Sequence, residues 1–309
     1  MNASRLVTFL GMLALAFWAT SIAYTRLLAE SLGPYSTVGF SFLAGGLALF
    51  VIDAIRFRRL PRPWAIPRAY LWVCGPCFVA YLFFYGVGFA KASSRDVILQ
   101  LTAVNYLWPA LTLLFAVGMF PCRVRWVSLL VGIALSLGGV GTAVLGEMDW
   151  SRVTAAVKAD WVPYALVVGG AVTWALYSAG ARKFAGGANG MPLFQVVGGL
   201  LALGFAWANG EAAAWGSLPT SVWWPFVYYA LFVAGGAYWF WDVAMQKGDL
   251  VLLGVLSYFL PLLSVLFSSW RLDQPAGQGV YVGCVLLVAG AALCRRGATL
   301  TEGVHQCQK

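Results

Sequence analysis

Hydrophobic residues in this chain fall in long unbroken runs. Charged residues and Pro/Gly clusters separate ten of them, over 6–25, 35–52, 69–90, 97–119, 126–145, 161–181, 191–209, 222–243, 250–269 and 278–294. A helix of about 20 residues crosses a hydrocarbon layer of about 30 Å. None of the runs alternates apolar and polar positions as a membrane barrel strand would, and lipid leaves helices and closed barrels as the only spanning structures. The pattern predicts an all-α integral membrane protein of ten transmembrane helices. Its connections are short and leave no room for an extramembrane domain with its own activity.

The two halves repeat each other. Trp18-Ala19, Ala23 and Arg26 recur as Trp174-Ala175, Ala179 and Arg182, an offset of 156. Tyr106, Pro109, Leu111, Leu114 and Phe115 recur as Tyr258, Pro261, Leu263, Leu266 and Phe267, an offset of 152. Gly132 and Gly139 recur as Gly283 and Gly290, an offset of 151. Three matches in one order predict a duplicated unit, with residues 1–148 as the first five-helix repeat and 149–309 as the second, ending in a short tail. Five spans per copy make the copies face opposite ways, an architecture of secondary transporters with the substrate site between them near mid-membrane. Arg5 before an apolar run resembles a secretory leader, but that run belongs to the repeat and reads as the first span.

The net charge of +9 follows from orientation, not from binding nucleic acid. With the N-terminus in the cytoplasm, fourteen basic residues fall on the cytoplasmic side, Arg56, Arg58, Arg59, Arg62 and Arg68 among them, and six on the other. The positive-inside rule places both termini in the cytoplasm, with membrane lipid as an added weak electrostatic partner.

Composition also removes function classes. The chain is 61% hydrophobic and 10% charged, with one histidine, His305, in the tail. No phosphate-binding G-x-x-x-x-G-K-[ST] loop occurs, and no cofactor is expected. All eleven acids fall in loops or near span ends, so neither a catalytic dyad nor a metal cluster forms at depth. The expectation is no enzyme and no metal. Asp242, about a turn inside the eighth span, is the deepest acid and the one candidate for ion coupling; an interfacial pair with Lys247 is the structural reading. Cys74-Gly-Pro-Cys77 matches a thioredoxin motif but lies within the third span, where it reads as helix packing.

Mid-span polar and aromatic groups supply the candidate site. Trp108 and Trp174 lie far from the headgroup belt that accounts for most other tryptophans, and a mid-membrane indole N–H needs a partner or a wet cavity. Gln100, Asn105 and Tyr106 share the fourth span with Trp108. Tyr81 and Tyr85 lie in the third, Tyr177 in the sixth, Tyr238 in the eighth and Tyr258 in the ninth. These ten residues are the expected substrate contacts. The mixture suits a flat organic molecule with one polar end. The lack of mid-span Lys or Arg disfavours phosphorylated permeants. Pro109 and Pro261, each removing a helix hydrogen bond at equivalent places, are candidate pivots.

Together, the Phe17-Trp18-Ala19 and Thr173-Trp174-Ala175 openings, the Pro109 and Pro261 helices, the Gly-rich closing spans and the turn Trp270-Arg271-Leu272-Asp273 resemble the drug/metabolite transporter superfamily, in its ten-helix branch with duplicated EamA halves. The first-half turn, Phe120-Pro121-Cys122-Arg123, lacks the acid. Tyr106-Leu107-Trp108-Pro109 and the aromatic third span are similar to the YddG-type exporters of aromatic amino acids. The resemblance implies an exporter of aromatic or hydrophobic amino acids in the bacterial inner (cytoplasmic) membrane, with a central cavity between the halves and alternating access as its mechanism. The lack of a mid-span carboxylate favours facilitative transport or exchange, and the protein is expected to function as a monomer. The alternative is proton-coupled efflux of flat organic cations through Asp242.

Overall fold

The computed structural model describes residues 3–58, 65–91, 93, 95–145, 150–211, 219–263, 267 and 278–300. The Trp270-Arg271-Leu272-Asp273 turn and His305 lie outside these residues, as do the side chains of Ala23 and Arg26. The helices follow the apolar runs: α1 (Ala3–Leu32), α2 (Pro34–Phe57), α3 (Gly75–Ala90), α4 (Arg95–Asn105), α5 (Trp108–Met119), α6 (Trp126–Leu145), α7 (Trp150–Ala159), α8 (Val162–Phe184), α9 (Met191–Ala208), α10 (Thr220–Tyr228), α11 (Ala237–Lys247), α12 (Leu250–Leu256) and α13 (Gln278–Gly297). Among the described residues five stretches are long and apolar enough to cross a membrane: Pro34–Arg56, Tyr70–Phe89, Gln100–Met119, Val162–Phe184 and Met191–Ala208. The protein is an all-α integral membrane protein in its architecture.

Four features depart from plain helices. The fourth span breaks at Tyr106–Leu107, between α4 and α5, and a 3₁₀ turn over Ser257–Phe259 interrupts the ninth. Two spans contain π-helical tracts, Tyr70–Cys74 before α3 and Tyr229–Gly236 between α10 and α11. The short helix α7 and a pair of three-residue strands were not expected. Strand β1 (Cys122–Val124) pairs antiparallel with β2 (Ala298–Leu300) in the register Arg123 to Thr299. That pairing satisfies backbone groups beyond the ends of α5 and α13, where no helix hydrogen bond remains available.

The chain forms two compact units, each discontinuous in sequence. One comprises Met1–Gly86 and Gly180–Gly248, the other Val87–Ala179 and Asp249–Lys309. In the first unit α2 and α9 pack closely through glycines. A methyl group added to Gly39 would lie 3.0 Å from the Leu203 nitrogen, and one on Gly46 would lie 2.9 Å from Val196 Cγ2. Leu203 follows Gly46 by the same 157 residues that separate Tyr81 from its hydrogen-bond partner Tyr238, and Val196 follows Gly39 by the same interval. Contacts exchanged in this way are the signature of a two-fold relation.

The second unit repeats the arrangement in α6 and α13. A methyl on Gly132 would lie 2.8 Å from the Gly290 carbonyl, and one on Gly139 would lie 2.8 Å from the Gly283 carbonyl. These four glycines are the ones matched in the sequence repeat. Small residues let the two backbones approach this closely. Their pairing also makes α6 and α13, equivalent helices of the two copies, run antiparallel.

Both ends of the α2–α9 pair are closed by an acid. Glu211, just after α9, accepts hydrogen bonds from the Tyr35 and Ser36 amides at 3.3 and 2.8 Å. These are first-turn donors of α2 with no helical acceptor. At the other end Asp53, in the last turns of α2, accepts from Asn189 Nδ2 at 2.8 Å, and Asn189 Oδ1 accepts from the Met191 amide opening α9 at 3.2 Å. Pro34 and Pro192 occupy the first turns of these helices, where a missing N–H costs nothing.

Candidate functional site

In the second unit Trp108, Trp174 and Tyr177 form one aromatic array. The two indoles meet edge to face at 6.3 Å between centroids and 81° between planes. Tyr177 stacks on Trp174 at 5.3 Å and 22°. All three are buried. Such pairs contribute roughly 0.5–1.5 kcal/mol beyond the area they bury.

The helix break beside Trp108 follows from Pro109. Lacking an N–H, Pro109 leaves the Asn105 carbonyl without its helical donor. The chain tightens before it: Leu107 N donates to the Val104 carbonyl at 3.0 Å, three residues back, and Tyr106 N splits its bond between the Thr102 and Ala103 carbonyls at 3.3 and 3.2 Å. At Pro261 the same tightening appears as the 3₁₀ turn, where the Leu260 amide donates to the Ser257 carbonyl.

At the break, the Asn105 side-chain oxygen is buried without a hydrogen-bond partner, a state that costs about 1–3 kcal/mol. Tyr106 is buried next to it. Gln100, a turn and a half earlier, is already engaged, because its Oε1 accepts from the Tyr164 hydroxyl. Tyr164 belongs with Val97, Leu101 and Val167 to an apolar cluster against which α7 lays Ala156 and Val157. A partner 64 residues away was not readable from the fourth span alone. Tyr258 is fully buried, and its hydroxyl has no hydrogen-bond partner. No described ring contact joins it to Trp108 or Trp174.

In the first unit the rings gather around Tyr238, in α11. Trp18, Phe42 and Phe78 surround it at 4.9, 5.2 and 5.5 Å, with interplanar angles of 62°, 60° and 89°. Its hydroxyl lies 3.4 Å from that of half-buried Tyr81, whose ring is 5.7 Å from that of Tyr85. Farther along, Thr20 Oγ1 lies 2.9 Å from the Tyr228 hydroxyl and Thr25 Oγ1 donates to that of Tyr229 at 3.0 Å. These threonine–tyrosine pairs were missed in the sequence, where Thr20 and Thr25 stand in a largely apolar span.

Asp242 has no solvent exposure. The Tyr70 hydroxyl donates to its Oδ1 at 2.8 Å and Gln246 Nε2 to its Oδ2 at 2.8 Å. Neutral donors, not the expected Lys247, make these two bonds. Cys74 and Cys77 are both free thiols. A methyl on Gly75 would lie 2.9 Å from Phe194 Cε1, and one on Gly180 3.1 Å from Cys74 Sγ, so the motif packs helices closely. Among the described residues no group of three His, Cys, Asp or Glu side chains could hold a metal ion.

Apolar helices of membrane-spanning length, broken beside stacked aromatic rings, define a multi-pass membrane protein. The chain belongs to the EamA-like transporter family, whose model matches residues 5–145 and 161–296. That membership points to a transporter rather than an enzyme. The chain is 28% identical to the aromatic amino acid exporter YddG of Salmonella typhimurium, over 94% of this chain and 97% of that one. It is 28% identical to the exporter of the same name from Escherichia coli, over 93% and 96%, and 29% identical to that of Ancylobacter novellus, over 93% and 96%. A solved crystal structure superposes with a TM-score of 0.77 at 25% identity, covering 95% of this chain and 99% of its own.

Proposed function

We propose that this protein exports aromatic or hydrophobic amino acids, and related amphipathic metabolites, across the bacterial inner membrane. The Trp108–Trp174–Tyr177 array beside a proline-broken helix carries the reading. It offers a ring-shaped ligand a stacking surface at a place where the backbone leaves hydrogen-bonding groups free. The full-length likeness to three aromatic amino acid exporters supports the same substrate class. In this reading Trp108, Trp174 and Tyr177 stack on the substrate. In the same unit Asn105, Tyr106 and Tyr258 hydrogen-bond its polar groups, as does Gln100 by giving up its bond to Tyr164; Tyr81, Tyr85 and Tyr238 are the candidate contacts of the first unit.

The proposed topology is ten spans in two inverted repeats, 1–148 and 149–309, with both termini cytoplasmic. The reciprocal glycine contacts of antiparallel α6 and α13 support the inversion. Transport proceeds by alternating access in a monomer, with Pro109 and Pro261 as pivots, and the substrate gradient alone drives it. The test is flux into liposomes preloaded with unlabelled amino acids, offering labelled Phe, Trp, Leu, Met and Thr with and without a pH gradient. Exchange of Phe or Trp without a gradient is the expected result. Absence of amino acid flux under every condition would sink the reading.

A second reading rests on the buried carboxylate of Asp242: proton-coupled efflux of flat organic cations. A carboxylate fully removed from water is the kind of group that couples proton movement to transport. In that case Asp242→Asn abolishes pH-driven cation efflux, whereas gradient-free amino acid exchange survives the same change under the first reading.

A further inference from the structure

The π tract over Tyr229–Gly236 is the least regular part of the eighth span, and one side chain outside that span grips it. In the tract the Ala237 amide donates to the Phe232 carbonyl, five residues back. Gly235-Gly236 lack the side chains that would resist this winding. The α2 backbone presses on the tract, since a methyl on Gly45 would lie 2.6 Å from the Ala230 carbonyl oxygen and 2.9 Å from Gly235 Cα. From α9, Gln195 Nε2 donates to the Gly235 carbonyl at 3.2 Å. Gln195 has no solvent exposure, and its Oε1 has no hydrogen-bond partner. The fold therefore keeps a buried, half-satisfied amide where an aliphatic side chain of the same size would be free of that cost. By the 157-residue relation of this unit, the first-copy counterpart of Gln195 is Val38, so the amide is not required by the shared architecture.

We propose that Gln195 is a positioning residue for transport: by holding the Gly235 carbonyl it fixes the register of the π tract and so the direction in which Tyr238, three residues on, presents its ring. Losing one residue from a helical register turns everything beyond it by about 100° and shifts it by about 1.5 Å. A turn of that size would carry Tyr238 out of the Trp18–Phe42–Phe78 cage and away from the Tyr81 hydroxyl. π-helical turns recur at functional sites, and here the turn sits next to a proposed substrate contact. The inference rests on the reading of Tyr238 as such a contact.

The test uses purified full-length protein and three variants at one position. Gln195→Leu and Gln195→Met keep the bulk and remove the donor. Both are expected to fold with an unchanged or higher Tm and to raise the apparent KM for Phe exchange about tenfold with little change in maximal rate, the pattern of lost binding. Tyr238→Phe added to Gln195→Leu should have much less effect than in the wild type. Gln195→Glu should recover the wild-type KM as pH falls, because a protonated carboxyl can donate to the Gly235 carbonyl and a carboxylate cannot. Hydrogen exchange over 229–240 supplies a readout that needs no flux: Gln195→Leu and Gln195→Met should alter protection in that segment and leave α6 and α13 unchanged. Wild-type exchange rates over 229–240 in both variants would overturn the proposal, as would additive effects of Gln195→Leu and Tyr238→Phe on KM. If the wild type moves no amino acid, the transport reading fails, and hydrogen exchange still decides whether Gln195 holds the tract.

Discussion

Under the proposed function single residues carry the affinity for substrate, and the aromatic ones make the sharpest prediction. Trp108 meets Trp174 edge to face, and Trp174 stacks on Tyr177. Trp108→Ala removes one face of that array, and an aromatic contact of about 0.5–1.5 kcal/mol corresponds to a roughly two- to tenfold rise in KM for Phe. Leu should suffer less, and Trp108→Phe should fall between; concentration-dependent exchange in liposomes measures all three. Tyr258 offers a second check. Its hydroxyl is buried without a hydrogen-bond partner, so Tyr258→Phe should raise stability by up to about 1–3 kcal/mol, seen as a higher Tm, and its flux separates a substrate contact from a packing residue. Trp108, Trp174 and Asn105 stand out in the sequence as candidates because an indole or an amide at mid-membrane is conspicuous in an apolar run. The engagement of Gln100 with Tyr164 does not, because the partner lies in another span. Gln195 was missed, although it is an amide inside an apolar span as Gln100 is, and its proposed role depends on a π tract that no hydrophobic pattern encodes.

The apolar helices were readable as elements, although α1 runs on to Leu32 and the short α7 was not seen, since an apolar run and a membrane-length helix are set by the same hydrophobic requirement. What the pattern could not give were the interruptions, which depend on where individual hydrogen bonds fail. Pro109 forecast one of these: the break at Tyr106–Leu107 lies where its missing N–H leaves the Asn105 carbonyl unmatched. Pro109→Ala supplies that donor and lets α4 and α5 merge into one straighter helix. The expected outcome is unchanged or slightly raised Tm with markedly reduced exchange, and Pro261→Ala should behave alike. Full exchange in both variants would remove the prolines as pivots. The acid closures act on elements too. Glu211→Ala strips two first-turn amides of α2 of their acceptor, a loss comparable to that of a helix N-cap, about 0.5–2 kcal/mol. A lowered Tm with Phe KM unchanged is expected, because Glu211 sits at the helix end and away from the ring clusters.

At the scale of the whole molecule, a duplication visible in sequence does not correspond to two independently packed halves. Each compact unit takes helices from both copies: α2 of the first copy packs on α9 of the second, and α6 of the first on α13 of the second. The repeat could be seen in one dimension because its glycines and prolines keep their spacing. The exchange of partners could not, because spacing along a chain says nothing of which copy a glycine will meet. The arrangement has a consequence for assembly. A fragment of residues 1–148 holds Gly39, Gly46, Gly132 and Gly139 but none of the surfaces they contact, so those helix faces are left open to lipid or to aggregation. Helix association in lipid comes from close packing and not from water exclusion, so the lost contacts have no substitute. Fragments 1–148 and 149–309 expressed separately should each be unstable and elute as aggregates in detergent. Co-expressed, they should assemble into a particle with the size and Phe exchange of the intact chain. Size-exclusion chromatography of tagged fragments reads the outcome, and a stable, monodisperse 1–148 fragment would show that the first copy packs on its own after all.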